Sequence, residues 1–361
     1  MLDGFAKKDR EATHLIQEEI RMRTLVAVLA AAVLAAGLAV ATPASAARVL
    51  SYANFPPAST VPCIQMERWA KELEKRTNGA VSVQTYPGGT LLTAKNMFRG
   101  VQTGQADIGC ISMSYQPGAF PFSFAMSQPL GFSSAAAASV TLWQMYVKYH
   151  PEEFKDVKVV AMFTSAPSNL MAKEPIKTLA DLKGMEIRGA GNLSEILAAL
   201  GAVPVSMPMP DVPEAVQKGV VKGLLTSFEV LKDMNFAEMC RYETVTNLPV
   251  YPFAVIMNKR AWASLPKDVQ KVIDDLSLEQ AEWTGTYWDE HVKEALDWSK
   301  QNFGIAVYRL SPEDKATMKK EIAPLVDKWK LEATKAGLPA DAILKDIEAA
   351  KTANEAKYGG E

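Results

Sequence analysis

A long stretch near the C-terminus, from Pro266 to Phe303, constrains the fold more than any other part of the chain. It contains no internal proline and a single glycine, Gly285. Apolar residues recur along it at near-helical spacing, which predicts one long amphipathic helix. At 1.5 Å per residue such a helix would measure roughly 55 Å, which exceeds the width of a small domain. The helix must therefore kink or cross a domain boundary.

The first half of the chain alternates short apolar strands with amphipathic helices, the pattern of an α/β fold. We expect strands at residues 49–53, 81–86, 106–111, 157–164 and 170–171, and a further strand that ends at Arg188. We expect helices at residues 61–77, 94–103, 135–149 and 192–200, and two more after the long helix, at 311–336 and 339–358.

The N-terminus has the features of an export signal. Residues 25–41 are almost entirely Leu, Val and Ala, two arginines precede them, and small residues follow up to Ala46. This pattern predicts a leader and signal peptide over residues 1–46, cleaved after Ala46, with Met22 as a candidate true start. The alternative is a permanent membrane anchor, because the apolar run is only just shorter than a bilayer requires.

Composition excludes several classes of function for the remaining chain. Its size suits two domains. Over the whole sequence 39 Lys and Arg balance 41 Asp and Glu, so the net charge does not favour binding to nucleic acid. Cys63, Cys110 and Cys240 cannot form a complete disulfide framework; Cys63 and Cys110 either pair or stay as buried thiols. Only two histidines follow the leader, with no metal-ligand spacing, and no nucleophile motif occurs. We therefore expect no enzyme activity, no metal and no cofactor.

Arg188 is the strongest candidate for a binding residue. It ends a short strand and leads into the glycine loop Gly189-Ala190-Gly191. A guanidinium held at a strand end presents a fork of donors that matches the two oxygens of a carboxylate. On composition alone, the alternative is a solvated surface arginine. The glycine loop also resembles a dinucleotide fingerprint, although Ser194 replaces its third glycine. A secreted α/β oxidoreductase is therefore the alternative function; otherwise the loop and the following helix N-terminus would face the anion held by Arg188.

Several segments of the sequence resemble those of one protein family. They are residues 106–109, 175–184, 200–209 and 217–223, together with the block around Arg188. These resemble the DctP-type periplasmic solute-binding proteins of TRAP transporters. The resemblance implies two α/β lobes around a cleft, with a long helix that spans both. It assigns residues 47–165 plus 253–292 to lobe I, and residues 166–252 plus 293–361 to lobe II.

The resemblance also implies a site and partners. Arg188 matches the arginine that grips the ligand carboxylate, and the other candidate ligand-binding positions are Asn54, Ser112, Asn169, Met209, Thr226, Ser227 and Phe228. Two differences from the family affect the expected ligand. Many relatives carry a second arginine at a position near Asn169, and this sequence has none there. Where the family usually has a side-chain amide, this sequence has Thr226 or Ser227, next to Phe228. We therefore expect an aromatic or apolar monocarboxylate, captured in the periplasm and delivered to TRAP membrane permease subunits.

Overall fold

The structure, a computed structural model, describes residues 3–38 and 48–359. Residues 3–38 form one helix, α1 (Asp3–Leu38), and residues 48–359 form a separate compact unit. Within these two ranges, no helix combines the length and the apolar character needed to cross a membrane. The expected cleavage point after Ala46 lies outside the described residues.

Residues 48–359 contain two β-sheets. The strands are β1 (Arg48–Ala53), β2 (Val81–Tyr86), β3 (Ile108–Ser112), β4 (Val157–Thr164), β5 (Ser168–Ala172), β6 (Glu186–Gly189), β7 (Val203–Ser206), β8 (Gly223–Thr226), β9 (Tyr242–Leu248), β10 (Pro252–Asn258) and β11 (Ala306–Arg309). The first sheet has the order β2-β1-β3-β10-β4, and the second has the order β11-β9-β5-β8-β6-β7. Strands β7, β9, β10 and β11 were not anticipated from the sequence.

Each sheet combines parallel strands with antiparallel ones. In the first sheet β1 is parallel to β2 and β3, whereas β10 runs antiparallel to β3 and β4. In the second sheet β6 is parallel to β7 and β8, and β5 runs antiparallel to β8 and β9. Helices cover the sheet faces, which confirms the predicted α/β class.

The helices of this unit are α2 (Val61–Arg76), α3 (Met97–Thr103), α4 (Ala135–Tyr149), α5 (Asn192–Ala199), α6 (Val212–Gln217), α7 (Val230–Asp233), α8 (Phe236–Met239), α9 (Lys259–Ala263), α10 (Lys267–Phe303), α11 (Pro312–Ile322), α12 (Pro324–Lys335) and α13 (Ala340–Tyr358). Ser134 caps α4 by accepting a hydrogen bond from the Ala137 amide, as its position predicts. The single helix expected over residues 311–336 is two helices, because Pro324 cannot continue the hydrogen-bond ladder.

The long helix α10 is continuous over 37 residues. It packs on α2, α4 and β4 beside the first sheet and on α7 and α8 beside the second, so it spans both as expected. Its one glycine has a packing reason: a Cβ at Gly285 would lie 2.4 Å from the Cα of Ala136 in α4. Asp289, one turn further on, accepts hydrogen bonds from the first two amides of α4 at 2.7 and 3.0 Å.

The chain crosses between the sheets after β4 and again before β10. These two connections are tied together, since Ser165 N donates to Tyr251 O and Tyr251 N donates to Ser165 Oγ, both at 2.9 Å. The C-terminal helix α13 packs on α4, beside the first sheet. This corrects the expected assignment of all of residues 293–361 to the second lobe.

The three cysteines are free and buried. Burial raises the pKa of the Cys63 thiol to about 12 and also raises that of Cys110, so both thiols stay protonated near neutral pH. Cys63 and Cys110 therefore do not form the disulfide that was the alternative, since both are free. Their thiols pack as small apolar groups in the core.

Candidate ligand-binding site

A cavity lies where strands of both sheets end. Ser112 is the last residue of β3, Thr226 is the last of β8, and Arg188 is next to the last in β6. The empty volume is about 510 Å³, counting the open solvent at its mouth. Crevices at the ends of strands are where α/β folds bind their ligands.

Arg188 is the only basic residue among the described residues that line this cavity. Its side chain is almost fully buried, at 1% exposure. Nε and Nη2 both donate to the Met207 carbonyl, at 3.0 and 2.9 Å, which fixes the plane of the guanidinium. No acidic side chain forms an ion pair with it anywhere in residues 3–38 and 48–359. A buried guanidinium held in this way is arranged to receive an anion.

Two tyrosines accept hydrogen bonds from the guanidinium of Arg188. Nη2 donates to Tyr115 Oη at 3.3 Å and Nη1 reaches Tyr251 Oη at 3.5 Å. Tyr115 Oη also accepts the Met209 amide at 3.1 Å, and Tyr251 Oη donates to the Leu225 carbonyl at 3.0 Å. Each tyrosine thus links the arginine to a neighbouring backbone group, so the position of Arg188 is determined from several sides.

Aromatic and apolar side chains form the walls of the cavity. Phe253 lies 5.8 Å from Trp288 of α10, ring centre to ring centre, and Phe55 packs edge-on against Tyr115 at 5.5 Å. Met209, Val230 and Met234 add flexible or aliphatic surface. Such walls favour a ligand with a flat or apolar body.

Two acidic residues also line the cavity. Glu229 is 4% exposed, and burial raises its pKa to about 7. The nearby Ser227 hydroxyl and Trp288 indole moderate this rise, although neither completes a hydrogen bond of normal geometry with the carboxylate. Asp233 Oδ1 pairs with His291 Nε2 of α10 at 2.7 Å. This hydrogen bond raises the pKa of His291 above 6.5, which favours the charged imidazolium.

The cavity brings together four of the eight residues expected from the sequence. Arg188, Ser112, Met209 and Thr226 line it, and the Ser112 hydroxyl is buried without a hydrogen-bond partner.

The other four expected residues are not among the described residues that line the cavity. Asn54 donates to the Pro62 carbonyl at 2.7 Å and accepts the Phe55 amide, so it holds the loop after β1. Asn169 accepts the amides of Thr246 and Asn247. Ser227 is fully buried behind the cavity, and Phe228 packs in the core of the second sheet instead of offering a stacking surface.

The glycine loop after Arg188 has a packing role. A Cβ at Gly191 would lie 3.0 Å from Ser114 Cβ, and the residue has a φ of +55°, which favours glycine. Residues 189–191 are not among the described residues that line the cavity. The expectation that this loop and the N-terminus of α5 face the anion is therefore corrected.

Several lining residues gave no local signal in the sequence. Tyr251 and Phe253 belong to the second connection between the sheets, Trp288 is one of many apolar residues of α10, and Glu229 and Asp233 precede and end the short helix α7. The sequence offered only a topological clue to these residues: a segment that connects the two sheets must pass the cleft.

The fold and the site define a two-sheet α/β binding protein with one buried cation in a cleft. The chain belongs to the bacterial extracellular solute-binding protein family 7, DctP, whose profile matches residues 52–332. It is a TRAP solute-binding protein, as the resemblance in its sequence indicated. Membership in a transport family also removes the support for a secreted oxidoreductase.

Three relatives illustrate the similarity. A TRAP periplasmic solute-binding protein from Desulfovibrio salexigens is 58% identical, with a TM-score of 0.78 over 87% of this chain and 99% of that one; the C-terminus of a symmetry mate occupies its ligand site. A marine metagenome protein specific for aromatic acid ligands, in complex with 3-hydroxybenzoate, is 31% identical with a TM-score of 0.80 over 86% and 99%. The C4-dicarboxylate-binding periplasmic protein DctP of Rhodobacter capsulatus is 26% identical over 70% of this chain and 78% of its own.

Proposed function

We propose that this protein captures an aromatic or apolar monocarboxylate through Arg188 and delivers it to the membrane subunits of a TRAP transporter. The observation that carries the proposal is the charge of the cavity. Arg188 is buried with no acidic partner among the described residues, and the other charged lining groups are both acids. One ligand carboxylate finds a cation here, whereas a second would lie beside Glu229 or Asp233, at a cost of several kcal/mol.

Other cations near the second sheet are engaged elsewhere. Lys173 Nζ donates to the Val216 carbonyl at 3.0 Å, and Arg241 donates to the Phe303 carbonyl. Neither lines the cavity. Their placement supports a site for one carboxylate. The relatives support this in part, since one binds 3-hydroxybenzoate, whereas another is a C4-dicarboxylate-binding protein.

A thermal-shift panel on the purified protein tests the ligand class. Benzoate, 3-hydroxybenzoate and 3-phenylpropanoate are compared with succinate, malate and fumarate at equal concentrations. The proposal predicts stabilisation by at least one aromatic monocarboxylate and little by the dicarboxylates. Stabilisation by dicarboxylates alone would contradict the assigned ligand class. Mass spectrometry of material released on denaturation would identify any ligand that co-purifies.

We infer that the units built on the two sheets act as lobes that close on the ligand. Lobe I comprises residues 48–165 and 253–292 with helix α13, and lobe II comprises the intervening segment 166–252 with the rest of the C-terminal region. The connections at Ser165 and Tyr251 join them. Small-angle scattering should give a smaller radius of gyration with a saturating ligand than without it; an unchanged radius would argue against closure.

Export is a further part of the proposal. Cleavage after Ala46 would release the solute-binding unit into the periplasm, where the family operates. N-terminal sequencing of protein released by osmotic shock should therefore give a first residue at or near Ala47. Recovery only with membranes, with residues 25–41 intact, would instead favour the anchor.

A further inference from the structure

The cavity holds two carboxylates that the binding of a single carboxylate leaves unexplained. Glu229 and Asp233 lie one helical turn apart at the two ends of α7, and both line the cavity. Glu229 is 4% exposed, and the side chain of Asp233 is also 4% exposed. Burying two carboxylates so close together is unfavourable unless something offsets their charge.

Each of these carboxylates has an oxygen without a partner. Glu229 Oε2 and Asp233 Oδ2 are buried and accept no hydrogen bond. Asp233 is paired with His291 through its other oxygen, and Lys232 pairs with Glu294. Glu229 forms no ion pair with any described residue. The cluster therefore contains two buried acids, one buried partner cation, and two carboxylate oxygens without a completed hydrogen bond, although the Ser227 hydroxyl and the Trp288 indole lie next to Glu229.

We propose that Glu229 and Asp233 bind an ammonium group of the ligand, so that the transported compound is an aromatic acid that also carries a protonated amine. This inference rests on the proposed function, because the ligand carboxylate is still held by Arg188.

An ammonium satisfies this site better than a hydroxyl does. It donates up to three hydrogen bonds, enough for both orphan oxygens, whereas a hydroxyl has one proton to give. It also neutralises the excess negative charge, which a hydroxyl cannot do. Trp288 and Phe253 line the same cavity, and aromatic faces attract a desolvated cation. With its carboxylate on Arg188 and its ammonium at α7, a zwitterion would match the charges of the whole cavity.

Isothermal titration calorimetry with matched pairs of probes tests the inference. Each pair differs only by the amine: L-phenylalanine against 3-phenylpropanoate, and 3- and 4-(aminomethyl)benzoate against 3- and 4-methylbenzoate. The three pairs place the ammonium at different distances from the carboxylate. At least one amine probe should bind roughly tenfold or more tightly than its match, which is a gain typical of one close charge pair. Equal or tighter binding of the amine-free member in every pair would overturn the inference.

Two variants and a control locate the effect. Glu229→Gln and Asp233→Asn should each reduce the preference for the amine severalfold or more, because a neutral amide cannot balance the cation. Glu243→Gln is the matched control: Glu243 is also a buried acid with unpartnered oxygens, but it lies outside the cavity. This control should keep the wild-type preference. A preference that survives in both Glu229→Gln and Asp233→Asn would overturn the inference.

Proton release gives a readout that does not depend on a variant folding. The groups facing Glu229 are Asp233 on its own helix and Trp288 and His291 on α10, with Ser227 beside it and Arg188 in the same cavity. Because the pKa of Glu229 is about 7, a bound ammonium should drive off about half a proton near neutral pH. Titrations in phosphate and in Tris, which differ in ionisation enthalpy, measure this directly. Binding of an amine probe with proton uptake would contradict the inference.

The failure of this inference can be told apart from failure of the proposed function. If the amine-free acids bind and the amines do not, the carboxylate site stands and the ammonium site is wrong. If no member of any pair binds, while succinate or malate does, both are wrong.

Discussion

The guanidinium of Arg188 lies over the ring of Tyr251, with Cζ 5.8 Å from the ring centre and Nη1 3.5 Å from Tyr251 Oη. Arg188 belongs to β6 of the second sheet, whereas Tyr251 lies on the connection that returns to the first. Tyr251 Oη also donates to the Leu225 carbonyl of β8. One tyrosine therefore joins Arg188, its neighbouring strand β8 and a connection between the sheets.

Replacement of Tyr251 by Phe should weaken ligand binding by about 3–10-fold. The change removes one hydrogen bond that orients the guanidinium, worth about 0.5–1.5 kcal/mol, and keeps the ring. Calorimetry with whichever aromatic acid binds wild type measures the effect. Tyr308→Phe is the control, since Tyr308 stacks on Tyr242 at the far edge of the second sheet. Equal losses in both variants would show that Tyr251 has no specific part in the site.

Replacement of Gly285 by Ala should destabilise the protein although alanine favours helix. The intrinsic gain is about 1 kcal/mol, but the added Cβ would lie 2.4 Å from Ala136 Cα and 2.7 Å from its amide nitrogen. These are backbone atoms, so the helices must move apart, and overpacking of this kind costs about 1–3 kcal/mol. Urea unfolding should show a net loss of stability. Thr286→Ala, at the next and exposed position, should be neutral or slightly stabilising.

The Asp233–His291 pair should make stability depend on pH. Asp233 raises the pKa of His291 above 6.5, so the pair's contribution is present below that value and is lost as pH rises through the raised pKa of His291. It is also lost in acid, where Asp233, whose own pKa is raised by burial, becomes protonated. The difference in unfolding free energy between wild type and His291→Asn should therefore be larger near about pH 6 than near about pH 9. A hydrogen bond to a charged group suggests a difference of about 1.5–3 kcal/mol at the lower pH. His150→Asn, at an exposed helix end, is the control; a difference that grows with pH would contradict the assignment.

The sequence predicted the structure well where a local residue pattern is compatible with only one type of secondary structure. Strand β2 and helix α10 have the expected extents to within one residue, because alternation and helical periodicity are local signals. Arg188 was identifiable because it ends a strand, where its donors are held in place, and because the residues around it resemble those of the DctP-type family.

Other features depend on tertiary packing and could not be read from local pattern. Phe228 is aromatic and near the site in sequence, yet it faces the core of the second sheet. Trp288 resembles the other apolar residues of α10, and only the crossing of that helix past the cleft brings it to the cavity. Glu229 gave no local signal in the sequence, and its burial follows from how α7 packs on α10.

Calorimetric titration of Arg188→Ala and Arg188→Lys with an aromatic acid that binds wild type tests the central claim most directly. Losing one partner of a desolvated charge pair costs about 2–5 kcal/mol, so Arg188→Ala should bind roughly a hundredfold more weakly or worse. Arg188→Lys should recover only part, because an ammonium cannot form the planar fork. Arg99→Ala, at an exposed position, should match wild type. Binding by Arg188→Ala within about threefold of wild type would contradict the account.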